Sequence, residues 1–208
     1  MANHRNASVK ISDMRNGPGL IKFAAVFIAV SEVFLLTADG QSPSPAKAAD
    51  SILSSNVVVR ISTVNRFFPE VTSEASTGRN LTAVANAKAT RSVIYANSDS
   101  SKKVTISVDQ YATASDASSA YQEAVAKSKT VPGFKPVHAE NLGQDAFVGT
   151  VTQGGETHIG LGALHDALIV GATLAGYDLT PENTAKLVAL TREEERVAKA
   201  AMDRNRQK

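Results

Sequence analysis

Ala146-Phe-Val-Gly-Thr-Val-Thr-Gln-Gly-Gly-Glu-Thr-His-Ile-Gly-Leu-Gly-Ala-Leu-His-Asp-Ala-Leu-Ile-Val-Gly-Ala-Thr-Leu-Ala175 is the stretch that decides the fold class. Ala146, Val148 and Thr150 alternate with Phe147, Gly149 and Val151, the period of two expected of a strand. Gln153-Gly-Gly155 turns the chain, and Thr157, Ile159 and Leu161 return it. His165-Asp166 marks a second turn, and Leu168 to Ala175 reads as a third strand with Leu168, Val170, Ala172 and Leu174 on one face. Gly171 and Gly176 predict a bulge, or a place where another backbone comes close. The whole is a meander of antiparallel strands.

Toward the N-terminus the same logic gives a hairpin and a helix. Val93-Ile94-Tyr95 leads into the turn cluster Asn97 to Lys103, after which Val104, Ile106 and Val108 alternate with Thr105, Ser107 and Asp109. Ala117, Ala120, Tyr121, Ala124 and Val125 recur at helical spacing, with Ser115 as the expected N-cap, Asp116 in the first turn and Pro132-Gly133 as the stop. Residues 72–91, without apolar period, read as a mobile connection that includes the glycosylation-type triplet Asn80-Leu-Thr. Val57, Ile61, Val64 and Phe68 form a helical stripe over residues 50–68, although Val57-Val58-Val59 also suits a strand. After the meander, Thr180-Pro181-Glu182 opens a final helix with Thr as cap and Pro at the first helical position. Leu187, Val188 and Leu190 give it an apolar side, and residues 192–208 read as a solvated, charged helical extension steadied by pairs such as Glu195 with Lys199.

The order α-β-β-α-β-β-β-α predicts an α+β domain: a mainly antiparallel sheet of about five strands with helices packed on one face. Three regions follow, an N-terminal segment 1–48, a single domain 49–191 and the extension 192–208.

The N-terminal segment carries its own signal. His4, Arg5, Lys10, Arg15 and Lys22 precede the apolar run Phe23–Leu36, which leads to Gln41-Ser-Pro-Ser-Pro-Ala-Lys-Ala-Ala49. A basic lead, an apolar run and small residues in that order have the form of an export signal, with cleavage between Ala48 and Ala49 and with Met14 as an internal start that shortens the leader. Glu32 inside the run opposes a retained membrane anchor, because a carboxylate at mid-span costs on the order of 2.5–3.5 kcal/mol. The same Glu32 is out of place in a signal core, so an uncleaved anchor and a cytosolic amphipathic segment are the alternatives; the expected location is secreted or periplasmic, with membrane contact only through this segment if it stays uncleaved.

Composition removes several classes of function. The chain has no cysteine, so disulfides, thiolate metal sites, cysteine nucleophiles and lipidation at a cysteine are excluded. A net charge of +2 with acids and bases intermixed offers no field for nucleic acid, and 5% aromatics with no Trp supplies no stacking platform.

Asn141-Leu-Gly-Gln-Asp-Ala-Phe147, followed by strands and by the helical pattern Thr184-Ala-Lys-Leu-Val-Ala-Leu190, resembles small exported bacterial domains of unknown function, among them actinobacterial lipoproteins with a PsbP-like α/β sandwich. The resemblance spans roughly residues 55–191 and rests on element order. It implies an accessory, binding or envelope role, and it offers no catalytic residues to carry over. The lipid-bearing cysteine of those lipoproteins is missing, so their tether does not transfer.

Among individual residues, His158 and His165 lie too far apart on a strand and its turn to ligate one ion, and both read as solvent-exposed. The glycines at 149, 154, 155, 160, 162, 171 and 176 lack the strand-to-helix context of a phosphate loop, and no serine sits in a Gly-x-Ser-x-Gly elbow. Tyr95, Tyr111, Tyr121 and Tyr177 line a pocket between helix and sheet or simply fill the core, the latter being favoured. Glu193-Glu194-Glu195 reads as a solvated face. No catalytic, cofactor-binding or metal-binding residue is assigned.

The expected function is therefore a non-enzymatic exported domain that binds a small apolar molecule or an envelope protein, using the Thr-, Ser- and Gly-rich sheet face opposite the helices. The alternatives are a hydrolase or isomerase assembled from Asp109, His158 or Tyr95, and a structural protein that self-associates through its C-terminal helix.

Overall fold

The computed structural model describes residues 51–78, 86–138, 146–153 and 155–206. The export segment with its Ala48–Ala49 cleavage point, the Asn80-Leu-Thr triplet and residues 141–145 of the family-like motif lie outside the described residues. The elements are β1 (Ser51–Ile52), a 3-10 turn (Ser55–Val57), α1 (Ile61–Phe67), β2 (Ser73–Gly78), β3 (Ala89–Ala96), β4 (Lys103–Gln110), α2 (Ala114–Ser128), β5 (Lys135–Pro136), β6 (Ala146–Gln153), β7 (Glu156–His165), β8 (Leu168–Ala175) and α3 (Pro181–Arg206).

The fold is α+β, built on one mixed sheet in the order β1-β3-β4-β8-β7-β6-β5, with β2 also paired to β3. Only β1 runs parallel to its neighbour. The β6-β7-β8 meander and the β3-β4 hairpin form as their alternation predicts, and β4 joins the two blocks by pairing with β8 from Lys103↔Ala175 to Gln110↔Leu168. Eight strands among the described residues replace the expected five. The additional ones are short or polar: β1 and β5 have two residues each, and β2 reads Ser-Glu-Ala-Ser-Thr-Gly within the stretch expected to be a mobile connection. Backbone pairing along the edge of β3 holds β2 without any apolar signal of its own.

Helices lie on both faces of the sheet, which corrects the expectation of one covered face. On one side, Val93, Val104, Ile106, Val108, Ile159, Leu161, Val170, Ala172 and Leu174 form a core with Val57, Val64, Leu187 and Leu190 from the N-terminal arm, α1 and α3. On the other, Ala117, Ala120, Tyr121 and Ala124 of α2 pack on Tyr111 and Ile169. This second layer explains why Ser107 and Asp109, on the face of β4 opposite Val104, Ile106 and Val108, are also buried. The N-cap of α2 is Thr113 rather than Ser115: its hydroxyl oxygen accepts from the Asp116 amide at 3.1 Å and pairs with the Asp116 carboxylate at 2.8 Å.

Two corrections concern the ends. The stripe Val57, Ile61, Val64 and Phe68 faces the core, yet only Ile61–Phe67 is α-helical, because the arm before it is tied by tertiary bonds at Val59. At the other end, α3 runs unbroken through the region expected to be a solvated extension, and Glu194, Ala198, Ala201 and Met202 are buried against the arm and sheet.

Candidate functional site

A groove of about 640 Å³ runs along the N-terminal half of α3. One wall is Val137 and His138, held beside the sheet because the Val137 amide donates to the Val148 carbonyl at 3.1 Å and so prolongs the β5–β6 pairing. The opposite wall is α3, which contributes Thr184, Ala185, Val188, Ala189 and Arg192. Leu179 stands at the entrance and is 49% exposed, a large apolar side chain left in water.

The local sequence fixes this wall. Thr180 caps the helix, its Oγ1 accepting from the Asn183 amide at 3.1 Å, as its position before Pro181 predicts. The Thr184 hydroxyl donates back to the Thr180 carbonyl at 2.9 Å. Both hydroxyls are thus engaged with the helix backbone, and the lining combines the aliphatic Val137, Ala185, Val188 and Ala189 with the polar His138 and Arg192. Glu182 in the first turn pairs with Lys186 at 2.6 Å, which holds its carboxyl below the usual range.

The residues considered for catalysis do not converge. Tyr95 projects into the α3-side core, where its hydroxyl donates to the Val59 carbonyl; burial and the nearby Glu74 and Glu194 push its pKa upward. Asp109 lies on the opposite face of the sheet by strand alternation. His158 aligns through Ala175 with Lys103, six residues along β4 from Asp109, a separation of about 20 Å at roughly 3.4 Å per residue. His158 is only 6% exposed, correcting the expectation that it faces solvent; burial lowers its pKa, partly opposed by Glu156 at 3.8 Å. His165 stands at the far end of β7, beside Asp166 at 3.6 Å. Among the described residues, no three His, Cys, Asp or Glu side chains gather to hold a metal.

The four tyrosines divide between the layers and build no common pocket. Tyr95 and Tyr177 belong to the α3 side, Tyr177 edge-on to Phe68 at 5.2 Å, while Tyr111 and Tyr121 lie under α2. The groove itself was not singled out by the sequence reading. Exposed Leu179 before the Thr180-Pro181 helix start, an apolar residue where a polar linker is expected, is the signal that marks it.

No family model matches the chain, and no curated protein matches it. Among solved structures, the chain is similar to the extracellular domain of PknH from Mycobacterium tuberculosis, with 12% sequence identity, a TM-score of 0.47, and coverage of 67% of this chain and 93% of that one.

Proposed function

We propose that this chain is an exported, non-enzymatic α+β domain that binds a small apolar molecule in the groove between Val137–His138 and α3. The observation that carries the reading is the groove: a concavity of about 640 Å³ falls within the range of about 300–1,000 Å³ used by small-molecule sites. Its lining carries Val137, Ala185, Val188 and Ala189 beside His138 and Arg192, its threonine hydroxyls bond within the helix, and exposed Leu179 offers a further apolar contact. The export part of the reading is supported by the basic, apolar and small-residue order of residues 1–48. An envelope protein partner is the competing occupant.

The test uses the whole chain and an environment-sensitive anilinonaphthalene dye as probe. Saturable, one-to-one binding is expected, lost in Ala185→Trp, whose indole would fill the groove from an exposed helical position without entering the core. Equal dye binding by both proteins would remove the groove from the proposal. A protein recovered from an exported fraction in stable complex with another polypeptide, and with its groove free for dye, would favour the competing occupant.

A further inference from the structure

Glu194 is a carboxylic acid with no exposed surface, set in the apolar core between α3 and the N-terminal arm. Its Oε2 accepts a 2.7 Å hydrogen bond from the Val59 amide, and its Oε1 is buried with no hydrogen-bond partner. The Val59 carbonyl is bound from the other side by the Tyr95 hydroxyl. One residue of the arm is therefore gripped at both of its backbone groups, once from α3 and once from β3. Val57, Val58 and Val59 are buried but have no regular secondary-structure ladder beyond one 3-10 turn, so these two side chains hold the arm's C-terminal part, while its start is held at Leu53, whose amide donates to the Thr90 carbonyl and whose carbonyl accepts from Arg91.

We infer that Glu194 is a proton-operated latch: as a neutral acid it holds the arm Leu53–Arg60 onto α3, and on losing its proton it releases the arm. An ionised carboxylate in this position has one buried oxygen without a hydrogen-bond partner and no countercharge, a situation that proteins relieve by protonation or by opening. The charged groups around it do not supply that countercharge. On α3, Glu193 is a like charge, and Arg196 is drawn to Glu193 at 2.7 Å. From α1, Arg66 also turns to Glu193, at 3.5 Å. On β3, Arg91 donates to the Leu53 carbonyl and to Thr77, while Tyr95 is held neutral by burial. Arg60 on the arm is exposed, and Glu195, half-buried, faces His165 and Arg192. Burial accordingly pushes the Glu194 carboxyl up to about 8, with the Val59 amide lowering it and Glu193 raising it further. Because no surface of Glu194 is open, a role in proton transfer to a substrate is not offered by this geometry.

The arm's opening is read by the hydrogen-exchange protection of the Val58–Arg60 amides in the full-length chain, normalised for intrinsic exchange, across pH 5–9. The opening constant is expected to rise about tenfold per pH unit and to level off near pH 8, the linkage expected of one proton released on opening. Glu194→Gln keeps the acceptor for the Val59 amide and cannot ionise, so its opening is expected to be independent of pH. A wild-type protein whose protection does not change with pH, or a Gln variant that follows the wild-type curve, overturns the latch. If the Gln variant fails to fold, the carboxyl carbon resonance of Glu194 in the wild type decides: a midpoint near 8 that coincides with arm opening supports it, and a midpoint in the usual carboxylate range overturns it.

Discussion

At Gly176 the chain leaves β8 with φ +74°, and a Cβ there would lie 1.9 Å from the Ser101 carbonyl oxygen. Left-handed backbone and a blocked side-chain position coincide, so Gly176→Ala is expected to destabilise the protein by at least the 1–3 kcal/mol, in order of magnitude, that such conformations cost. Gly155 is the control: its φ is +84°, but a Cβ would meet nothing within 4 Å, so Gly155→Ala bears only the backbone cost. Urea denaturation of the two variants should rank them in that order, and equal midpoints would refute the clash. Gly176 was legible in the sequence as a close approach. Gly171 was half-legible, since β8 keeps an unbroken register with both neighbours while the glycine accommodates Ser107 Oγ, 2.5 Å from where a Cβ would stand. Glu194 was misread because the triplet Glu193-Glu194-Glu195 looks uniform. Its position, four residues after Leu190 and four before Ala198, continues the apolar stripe, and spacing outweighs chemical type here.

Elements formed where period and cap agreed, and were missed where tertiary bonds supplied what the sequence lacked. The meander, the β3–β4 hairpin and α2 were legible from alternation and helical spacing. The strand β2 and the break before α1 were not, because one depends on an edge of β3 and the other on Glu194 and Tyr95, both distant in sequence. The same principle governs α3, whose last turns look polar yet contribute Ala198, Ala201 and Met202 to the core. Removal of residues 192–208 is therefore expected to abolish cooperative thermal unfolding rather than merely alter association, and circular dichroism melts would show it. A truncated chain that melts as sharply as the full one would return these residues to the role of a solvated extension. A milder probe of the same packing is Met202→Ala, for which a loss within the 2–5 kcal/mol typical of large-to-small core changes is expected, toward the lower end because the side chain lies at the edge of the core.

For the molecule as a whole, the two sides of the sheet bury titratable groups that pull stability in opposite directions. His158, on the α2 side, has a pKa lowered by burial, so the unfolded chain binds its proton more readily below 6.5 and stability falls as pH drops through that range. Glu194, on the α3 side, has a pKa raised from 4.5 to about 8, so the folded chain holds a proton that the unfolded chain has lost, and stability falls as pH rises across that interval. Half-buried Glu195 acts in the same direction as Glu194. The carboxyls of exposed Asp99 and Glu182 and of part-buried Glu193, held low by hydrogen bonds and by Lys186 or Arg196, add a small contribution that is lost only as pH falls below about 4.5. Below 6.5 the His158 slope opposes that of Glu194 and flattens the profile. Above 6.5 the His158 contribution is complete, and Glu194, at about 1.4 kcal/mol per pH unit, should cost the protein roughly 2 kcal/mol before its contribution levels near pH 8. Denaturant titrations at half-unit pH intervals give this curve directly. His158→Gln should make stability fall more steeply with rising pH below 6.5 by removing the opposing slope, whereas a wild-type maximum at pH 8 or above would show that Glu194 does not behave as its burial dictates.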